Sequence, residues 1–406
     1  MNTLTVAIFA IVYFGMILGG LPFLQLDRTG VALLGAIAVV GFEILSPEQA
    51  ARAVHLPTLV LLFSFMVISA QLRLGGFYAW VTERVAALPL APGALLGAVT
   101  LLAAALSAVF SNDVVCLAAA PVLAHACLRR RLDPVPFLLA LACAANVGSA
   151  ATLIGNPQNM LIGQKLGLPF LGYLAQAIVP VTLGLVATWA LIARQTRGRW
   201  QAEPSPAAAE SASGAARLDP WQTAKGLAVA LALLGVFLFG GWPRDVAALA
   251  GAGVLLTSRR LHSARMLGLV DWELLVLFIG LFVVNGALEH SGLTQEAIAR
   301  LGAAGVPLAE PAPLFGASLV LSNLVSNVPA TMLLLPAATQ PWSGPLLALV
   351  TTFAGNLLIV GSIANIIVVD AARRAGIDIG WRRHARVGVP VTAATLAITA
   401  LWLYLA

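Results

Sequence analysis

The sequence predicts an all-α integral membrane protein of two inverted repeats, each with five transmembrane helices and one re-entrant helical hairpin. Three observations support this prediction. Of the 406 residues, 60% are hydrophobic and 10% are charged, whereas a soluble domain carries about 25% charged residues. Motifs of the first half recur in the second half. Clusters of Asn, Ser, Gly and Pro interrupt segments that are otherwise apolar, which is typical of broken membrane helices.

The repeat is visible in residues that are uncommon in so apolar a chain. Ser111-Asn112 recurs as Ser326-Asn327, and Asn146 recurs as Asn356. A polar segment of low complexity, rich in Arg, Glu, Ser, Ala and Pro, separates the two copies. We therefore predict a first inverted repeat at 1–193, a cytoplasmic linker at 194–219 and a second inverted repeat at 220–406.

The apolar segments place the elements of each repeat in order. The first repeat is predicted to hold helices at 4–24, 30–46 and 56–72, a hairpin at 92–128, and helices at 134–163 and 171–193. The second repeat is predicted to hold helices at 222–240, 245–258 and 271–288, a hairpin at 310–341, and helices at 344–370 and 387–405. Each hairpin arm is long enough, at 1.5 Å per residue, to reach the membrane midplane and return.

The distribution of arginine orients the chain. Positive residues concentrate in cytoplasmic loops, so we place the Arg-rich linker inside the cell. Arg129–Arg131, Arg259-Arg260 and Arg373-Arg374 then fall on the same side. An odd number of crossings in each half inverts the second repeat and places both termini outside. We predict a multi-pass protein of the cell inner membrane, with the lipid bilayer as its partner and no nucleic-acid binding.

Four polar breaks carry the candidate binding residues, since unwound backbone at membrane depth is tolerated only where it is buried in protein or lines a cavity. The predicted coupling-ion residues are Ser111, Asn112, Asp113, Asn146, Gly148 and Asn356. The predicted substrate residues are Asn112, Ser149, Thr152, Asn156, Asn159, Ser326, Asn327, Ser362 and Asn365. We predict no cofactor; if Na⁺ binds, its expected ligands are Ser111, Asp113 and Asn146. Tight helix packing is the alternative explanation for the glycines.

Asp113 is the only carboxylate predicted near the midplane, and its counterpart in the second repeat is Val328. A buried carboxylate is costly unless it is paired, protonated or bound to a cation. We therefore predict that Asp113 takes part in coupling to H⁺ or Na⁺. The alternative is a structural role, in which its carboxyl group caps the following helix.

Other classes of function have weaker support. An intramembrane enzyme would need an HExxH motif or paired midplane aspartates, and the sequence has neither, so we predict no enzyme. A passive channel is compatible with inverted repeats, but one asymmetric titratable site favours coupled transport. Cys116, Cys127 and Cys143 form no CxxC pair and are interpreted as packing residues.

The segment from Pro136 to Ile162, preceded by Ser111-Asn112-Asp113, resembles the Ion Transporter superfamily, and most closely its silicic-acid and arsenite efflux permeases. The superfamily includes citrate-transporter-like permeases and divalent-anion/sodium symporters. The resemblance implies an elevator mechanism, with a scaffold domain and a mobile transport domain, and a homodimer by analogy with the dicarboxylate branch. That branch has Ser-Asn-Thr at each hairpin tip, from which Asp113 and Val328 depart.

These departures favour a substrate without charge, because an ionised Asp113 would repel a dianion. The function predicted from the sequence is proton-coupled efflux of a small inorganic oxyacid such as silicic acid or arsenite. The alternatives are sodium- or proton-coupled transport of a small inorganic or carboxylate anion, and a passive channel.

Overall fold

The computed structural model describes residues 2–21, 24–201 and 217–405. Most of the predicted linker, 202–216, lies outside the described residues. The helices of the first half are α1 (Asn2–Leu18), α2 (Arg28–Gly41), α3 (Pro47–Ala53), α4 (Leu56–Leu74), α5 (Phe77–Ala86), α6 (Pro92–Val109), α7 (Asn112–Arg129), α8 (Pro134–Ser149), α9 (Pro157–Lys165) and α10 (Phe170–Thr196). A short antiparallel pair, β1 (Gly20–Leu21) and β2 (Leu26–Asp27), joins α1 to α2.

The helices of the second half are α11 (Pro220–Phe239), α12 (Arg244–Leu256), α13 (Ser263–Leu267), α14 (Trp272–His290), α15 (Leu293–Ala303), α16 (Pro311–Val325), α17 (Asn327–Leu334), α18 (Ser343–Ala354), α19 (Ile363–Arg374) and α20 (Trp381–Leu405). Two 3₁₀ turns, Leu335–Ala337 and Ile359–Gly361, extend α17 and precede α19. The lengths of successive helices in this half resemble those of the first half, except that α17 has 8 residues where α7 has 18. The inverted orientation of the two halves stays a prediction.

The prediction of a helical membrane protein is confirmed. Within the described ranges, seven helices are long and apolar enough to cross a membrane: Leu56–Leu74, Pro92–Val109, Asn112–Arg129, Phe170–Thr196, Pro220–Phe239, Trp272–His290 and Trp381–Leu405. Six further apolar helices are shorter, and several of these end at the polar breaks. Such short helices are the expected result of a crossing that is interrupted partway.

The structure differs from the predicted boundaries in three ways. The first crossing ends at Leu18 rather than at 24, because the chain turns there into the β1–β2 pair. The second ends at Gly41 rather than at 46, where the Phe42 amide caps it and Glu43 adopts a positive φ of 56°. The short helices α3, α5, α13 and α15 were not predicted, because 5 to 11 residues give too little apolar periodicity to identify.

The helices pack as two groups. In the first group α2 packs against α14 and α4 against α12, with α1 and α11 beside them. Close approach there depends on small residues: a Cβ added to Gly280 of α14 would come within 2.7 Å of the Ala32 backbone of α2. In the second group α8 packs against α6, α7, α10 and α19, and α18 against α16 and α20. Both hairpins and both broken helices therefore belong to the second group.

Candidate functional site

The amide of Asn146, near the end of α8, is the centre of a buried hydrogen-bond network. Its Oδ1 accepts hydrogen bonds from Asn112 Nδ2 and from Ser362 Oγ, both at 2.9 Å. Its Nδ2 donates to Asn356 Oδ1 at 2.8 Å and to Asn365 Oδ1 at 3.2 Å. The network joins the first hairpin tip to both broken helices, across more than 200 positions of sequence. The first hairpin tip and the breaks of both halves thus meet at a single residue.

The second hairpin tip joins the same cluster through Asn327. In the orientation that satisfies both polar atoms of its amide, Nδ2 donates to the carbonyls of Thr351 at 3.1 Å and Gly361 at 3.2 Å, and Oδ1 accepts from Gln158 Nε2 at 3.3 Å. The first tip makes a related contact through its backbone, because the backbone N–H of Asn112 donates to the Gly155 carbonyl at 3.2 Å. Both tips therefore bind a glycine of the break in their own half.

Four helix N-termini converge on this amide cluster. Helices α7 and α17 begin at Asn112 and Asn327, and helices α9 and α19 are preceded by Asn156 and Ser362 as their N-cap residues. The Asn156 side chain caps α9 by accepting from the Asn159 amide at 2.9 Å. Because helix N-termini carry partial positive charge and free N–H groups, the cluster is a polar environment that favours oxygen ligands.

A second branch of the cluster connects Asn156 with the other half of the chain. Asn156 Nδ2 donates to Ser149 Oγ at 2.8 Å and to Thr352 Oγ1 at 3.3 Å, and Gln158 Nε2 donates to Thr352 Oγ1 at 3.2 Å. Ser149 in turn donates to the Asn146 carbonyl at 2.8 Å. The polar side chains of α8, α9 and α18 thus form one continuous set of hydrogen bonds.

Two predicted substrate residues, Thr152 and Asn159, form hydrogen bonds around the break in the helix and not at the centre of the cluster. Asn159 Nδ2 donates to the Thr152 carbonyl at 3.0 Å and contacts Tyr173 Oη at 3.1 Å, and Tyr173 donates to the Ala150 carbonyl at 2.6 Å. The Thr152 hydroxyl donates to the carbonyl of Ala108. These bonds satisfy backbone carbonyls that the break in the helix frees. We interpret Thr152 and Asn159 as residues that hold the loop 150–156 in shape.

The predicted coupling residues divide into two sets. Gly148 lies against α6, where an added Cβ would come within 2.3 Å of the Ala104 Cα, so close packing accounts for this glycine. Ser111, Asp113 and Ser326 are half-buried at the edge of the cluster, and none has a side-chain hydrogen bond within the described part of the chain. Ser326 also adopts a φ of 77°, which turns the chain sharply between α16 and α17.

One of the Na⁺ ligands predicted from the sequence is already occupied by other bonds. Asn146 Oδ1 already accepts two hydrogen bonds, which occupy both of its lone pairs. A cation at that oxygen would have to displace Asn112 or Ser362. Asn112 Oδ1, in contrast, is buried without a partner among the described residues, so it is a free acceptor at the tip.

Sequence reasoning missed four polar residues that the structure places in or beside the cluster: Gln158, Ser322, Asn323 and Thr352. Ser322 donates to the Thr351 carbonyl at 2.9 Å and also contacts Asn327. The buried Oδ1 of Asn323 has no partner in the described chain and faces Gly361. The sequence contains a pattern that could have identified two of these residues, because the pair Ser322-Asn323 repeats Ser326-Asn327 one helical turn earlier.

The comparisons with known proteins agree with this architecture. A family model described as citrate transporter matches residues 11–354. An uncharacterized transporter of Mycobacterium bovis is 30% identical, over 94% of each chain. The silicon efflux transporter LSI3 of Oryza sativa subsp. japonica is 28% identical over 94% of this chain and 92% of its own. The crystal structure of the Alcanivorax borkumensis YdaH transporter, at 17% identity and a TM-score of 0.54, covers 99% of this chain and 97% of that one.

At 17% identity, the similarity to the YdaH transporter shows only a common fold. The family assignment rests on the match of the sequence to the family model. The resemblance predicted from the sequence is confirmed, and the two relatives named above are both described as transporters. A matched segment of this length includes both hairpin tips and the first broken helix. This chain is a multi-pass transporter that belongs to the citrate transporter family of the Ion Transporter superfamily.

Proposed function

We propose that this protein is a secondary active transporter that exports a small, uncharged inorganic oxyacid in exchange for protons. The observation that carries the proposal is that the first hairpin tip and both helix breaks bind Asn146, while the second hairpin tip joins the same cluster through Asn327. The cluster offers amide and hydroxyl groups, which can both donate to and accept from the hydroxyls of an oxyacid. The 28% identity to a silicon efflux transporter supports this substrate class.

The charge of the site favours an uncharged substrate. The network around Asn146 consists of Asn, Ser, Thr and Gln side chains, and Asp113 is the carboxylate in the first turn of α7. A dianion would need a cation to offset its desolvation. Silicic acid and arsenous acid avoid this cost because they are uncharged at neutral pH.

The two packing groups suggest how access alternates. We assign the group of α1, α2, α4, α11, α12 and α14 as the scaffold, and the group that contains both hairpins as the moving transport domain. Inverted repeats that carry a midplane site commonly move in this way. The two halves differ here: α5 packs along α7, whereas α15 contacts the 3₁₀ turn that follows α17, beside a cavity.

A second candidate function is sodium- or proton-coupled transport of a small anion. The four helix N-termini around the cluster favour it, since each supplies partial positive charge. Asp113 opposes it, because its carboxylate lies in the first turn of one of those helices. The protonation state of Asp113 would then decide whether an anion can bind.

Transport assays in proteoliposomes separate these candidates. We expect uphill accumulation of silicic acid or arsenite, measured by elemental mass spectrometry, when a pH gradient is imposed and not when a Na⁺ gradient is imposed. Protein-free liposomes are the control. Uphill uptake of citrate or sulfate without oxyacid transport would support the second candidate. Flux that only follows the substrate's own gradient would indicate a passive channel.

The proposed topology is tested by accessibility of single cysteines, in a variant that lacks Cys116, Cys127 and Cys143. Cysteines at the exposed positions Arg129 and Arg259 are expected to react only from the cytoplasm, and one at Gln340 only from outside. Gln340 is preferred to the neighbouring Ser343, because Ser343 is 1% exposed and begins α18. Reaction of positions 129 and 340 from the same side would contradict the inverted repeats.

A further inference from the structure

A large polar cavity lies between the two packing groups, away from the amide cluster. Its volume is about 860 Å³, and α3, α14 and α15 line one side while the end of α9 and the turn after α17 line the other. We call it the basic vestibule, defined by its lining residues Gln49, Arg52, Lys165, Phe282, Glu289, His290, Gln295 and Pro336. The proposed topology places this lining toward the outer face, with Phe282 in the outer half of its crossing.

The cations of the basic vestibule are not neutralised by ion pairs. Arg52 and Lys165 are exposed to the cavity, and the three ion pairs of the described chain lie elsewhere, at Arg129–Glu83, Arg300–Glu296 and Arg374–Asp370. Glu289 is the carboxylate that shares this lining. Two cationic side chains against one carboxylate give the lining an excess of positive charge.

Lys165 is exposed, and its ammonium group lies beside the wall of the cavity. Its Nζ lies 5.8 Å from the ring centroid of Phe282 on α14, within the range of a cation–π contact. Gln49 and Gln295 add side-chain amides around the same space. A guanidinium, an ammonium and amide donors around one cavity match the oxygen atoms of a tetrahedral oxyanion, for which Arg gives bidentate and Lys point-charge recognition.

We propose that the basic vestibule binds a phosphate-type oxyanion through Arg52 and Lys165, at a site separate from the amide cluster. The ligand is either a free inorganic anion or the phosphate of a lipid headgroup, since both present the same oxygens. Glu289 repels this ligand and keeps its binding reversible. Because the vestibule lies between the two packing groups, an occupied site would also oppose their closing on this face.

The test is binding of [³²P]orthophosphate to the purified full-length protein in a phosphate-free maltoside detergent, by equilibrium dialysis. We expect saturable binding that weakens about fivefold in R52Q and in K165Q, the upper range for a solvent-exposed charge pair. E289Q is expected to bind more tightly than the wild type. R259Q, which removes an exposed arginine outside the vestibule, is the matched control and should bind as the wild type does.

Phosphate binding is expected to weaken in K165Q and to strengthen in E289Q. These opposite effects distinguish residues that bind the anion from residues that only support the structure. Absence of saturable binding, equal weakening in K165Q and E289Q, or equal weakening in R259Q would each overturn the proposal. If added phosphatidylglycerol displaces the labelled phosphate, the natural ligand is the lipid headgroup. If the labelled phosphate stays bound, the natural ligand is the free inorganic anion. Phosphate binding is measured without transport. Absence of binding would therefore not contradict the proposed export function, and absence of oxyacid transport would not contradict this binding site.

Discussion

Replacement of Asp113 by Asn is expected to abolish transport driven by a pH gradient while leaving exchange of substrate across the membrane. Asp113 is half-buried in the first turn of α7, beside the hairpin tip that binds Asn146. Its carboxyl group has no hydrogen-bond partner in the described chain, and Asp271 of α14 lies within electrostatic range. A charged carboxylate in this position resists movement through the membrane, whereas the protonated form does not.

Asparagine has the shape of protonated aspartic acid and cannot release a proton. We therefore expect the proposed transport domain of this variant to move with and without substrate, without a link to protons. We expect pH-driven accumulation to fall by about tenfold or more, while exchange of labelled for unlabelled oxyacid stays within about threefold of the wild type. The measurement compares uphill accumulation and exchange in the same proteoliposome preparation.

Asp370→Asn is the matched control for this experiment. Asp370 also lies on a helix of the second packing group, but it forms an exposed ion pair with Arg374 at 2.7 Å. Exposed pairs contribute little, so both activities should persist. Wild-type accumulation in Asp113→Asn would contradict the coupling role and redirect the search to the free oxygens of Asn112 and Asn323.

Much of the candidate site could be predicted because a polar residue is rare in so apolar a chain and usually has a specific partner. Asn112, Asn146, Asn156, Asn356 and Asn365 were singled out for this reason, and the structure connects all of them by hydrogen bonds, directly or through one further side chain. The repeat strengthened the prediction, since a residue and its counterpart mark equivalent breaks.

The remainder could not be read from the sequence, for two physical reasons. Which atom of an amide bonds to which neighbour depends on side-chain rotation, so the sequence could not show that Asn146 Oδ1 is already saturated and that Asn112 Oδ1 is free. The basic vestibule depends on how two packing groups approach each other. Arg52 and Lys165 are 113 positions apart, and only tertiary structure brings them to one cavity.

Replacement of Asn146 by Ala is expected to have the largest effect on both stability and transport. Asn146 is 1% exposed and makes four hydrogen bonds with its side chain. The variant leaves the amide of Asn112, the hydroxyl of Ser362 and the oxygens of Asn356 and Asn365 without this partner. Each unsatisfied buried group costs about 1–3 kcal/mol in soluble proteins, and hydrogen bonds within membrane bundles average about 0.6 kcal/mol.

These costs fall on the contacts that hold the first hairpin tip and the two breaks together. A total of about 3 kcal/mol would reduce the population of the intact cluster about a hundredfold. We therefore expect oxyacid exchange to fall about a hundredfold and the melting temperature in detergent to decrease. Asn146→Ser, which keeps one donor and one acceptor, should lie between the alanine variant and the wild type in both measurements.

Gln71→Ala separates loss of the site from loss of stability alone. Gln71 is also fully buried, and its Nε2 donates to the carbonyl and to Oε1 of Gln222, at 3.0 and 2.8 Å, between α4 and α11 of the first packing group. Its removal should lower the melting temperature while the inserted protein keeps its exchange rate, because these bonds are remote from the hairpin tips. If Gln71→Ala and Asn146→Ala reduce exchange equally at equal amounts of inserted protein, the network around Asn146 stabilises the fold and does not form the transport site.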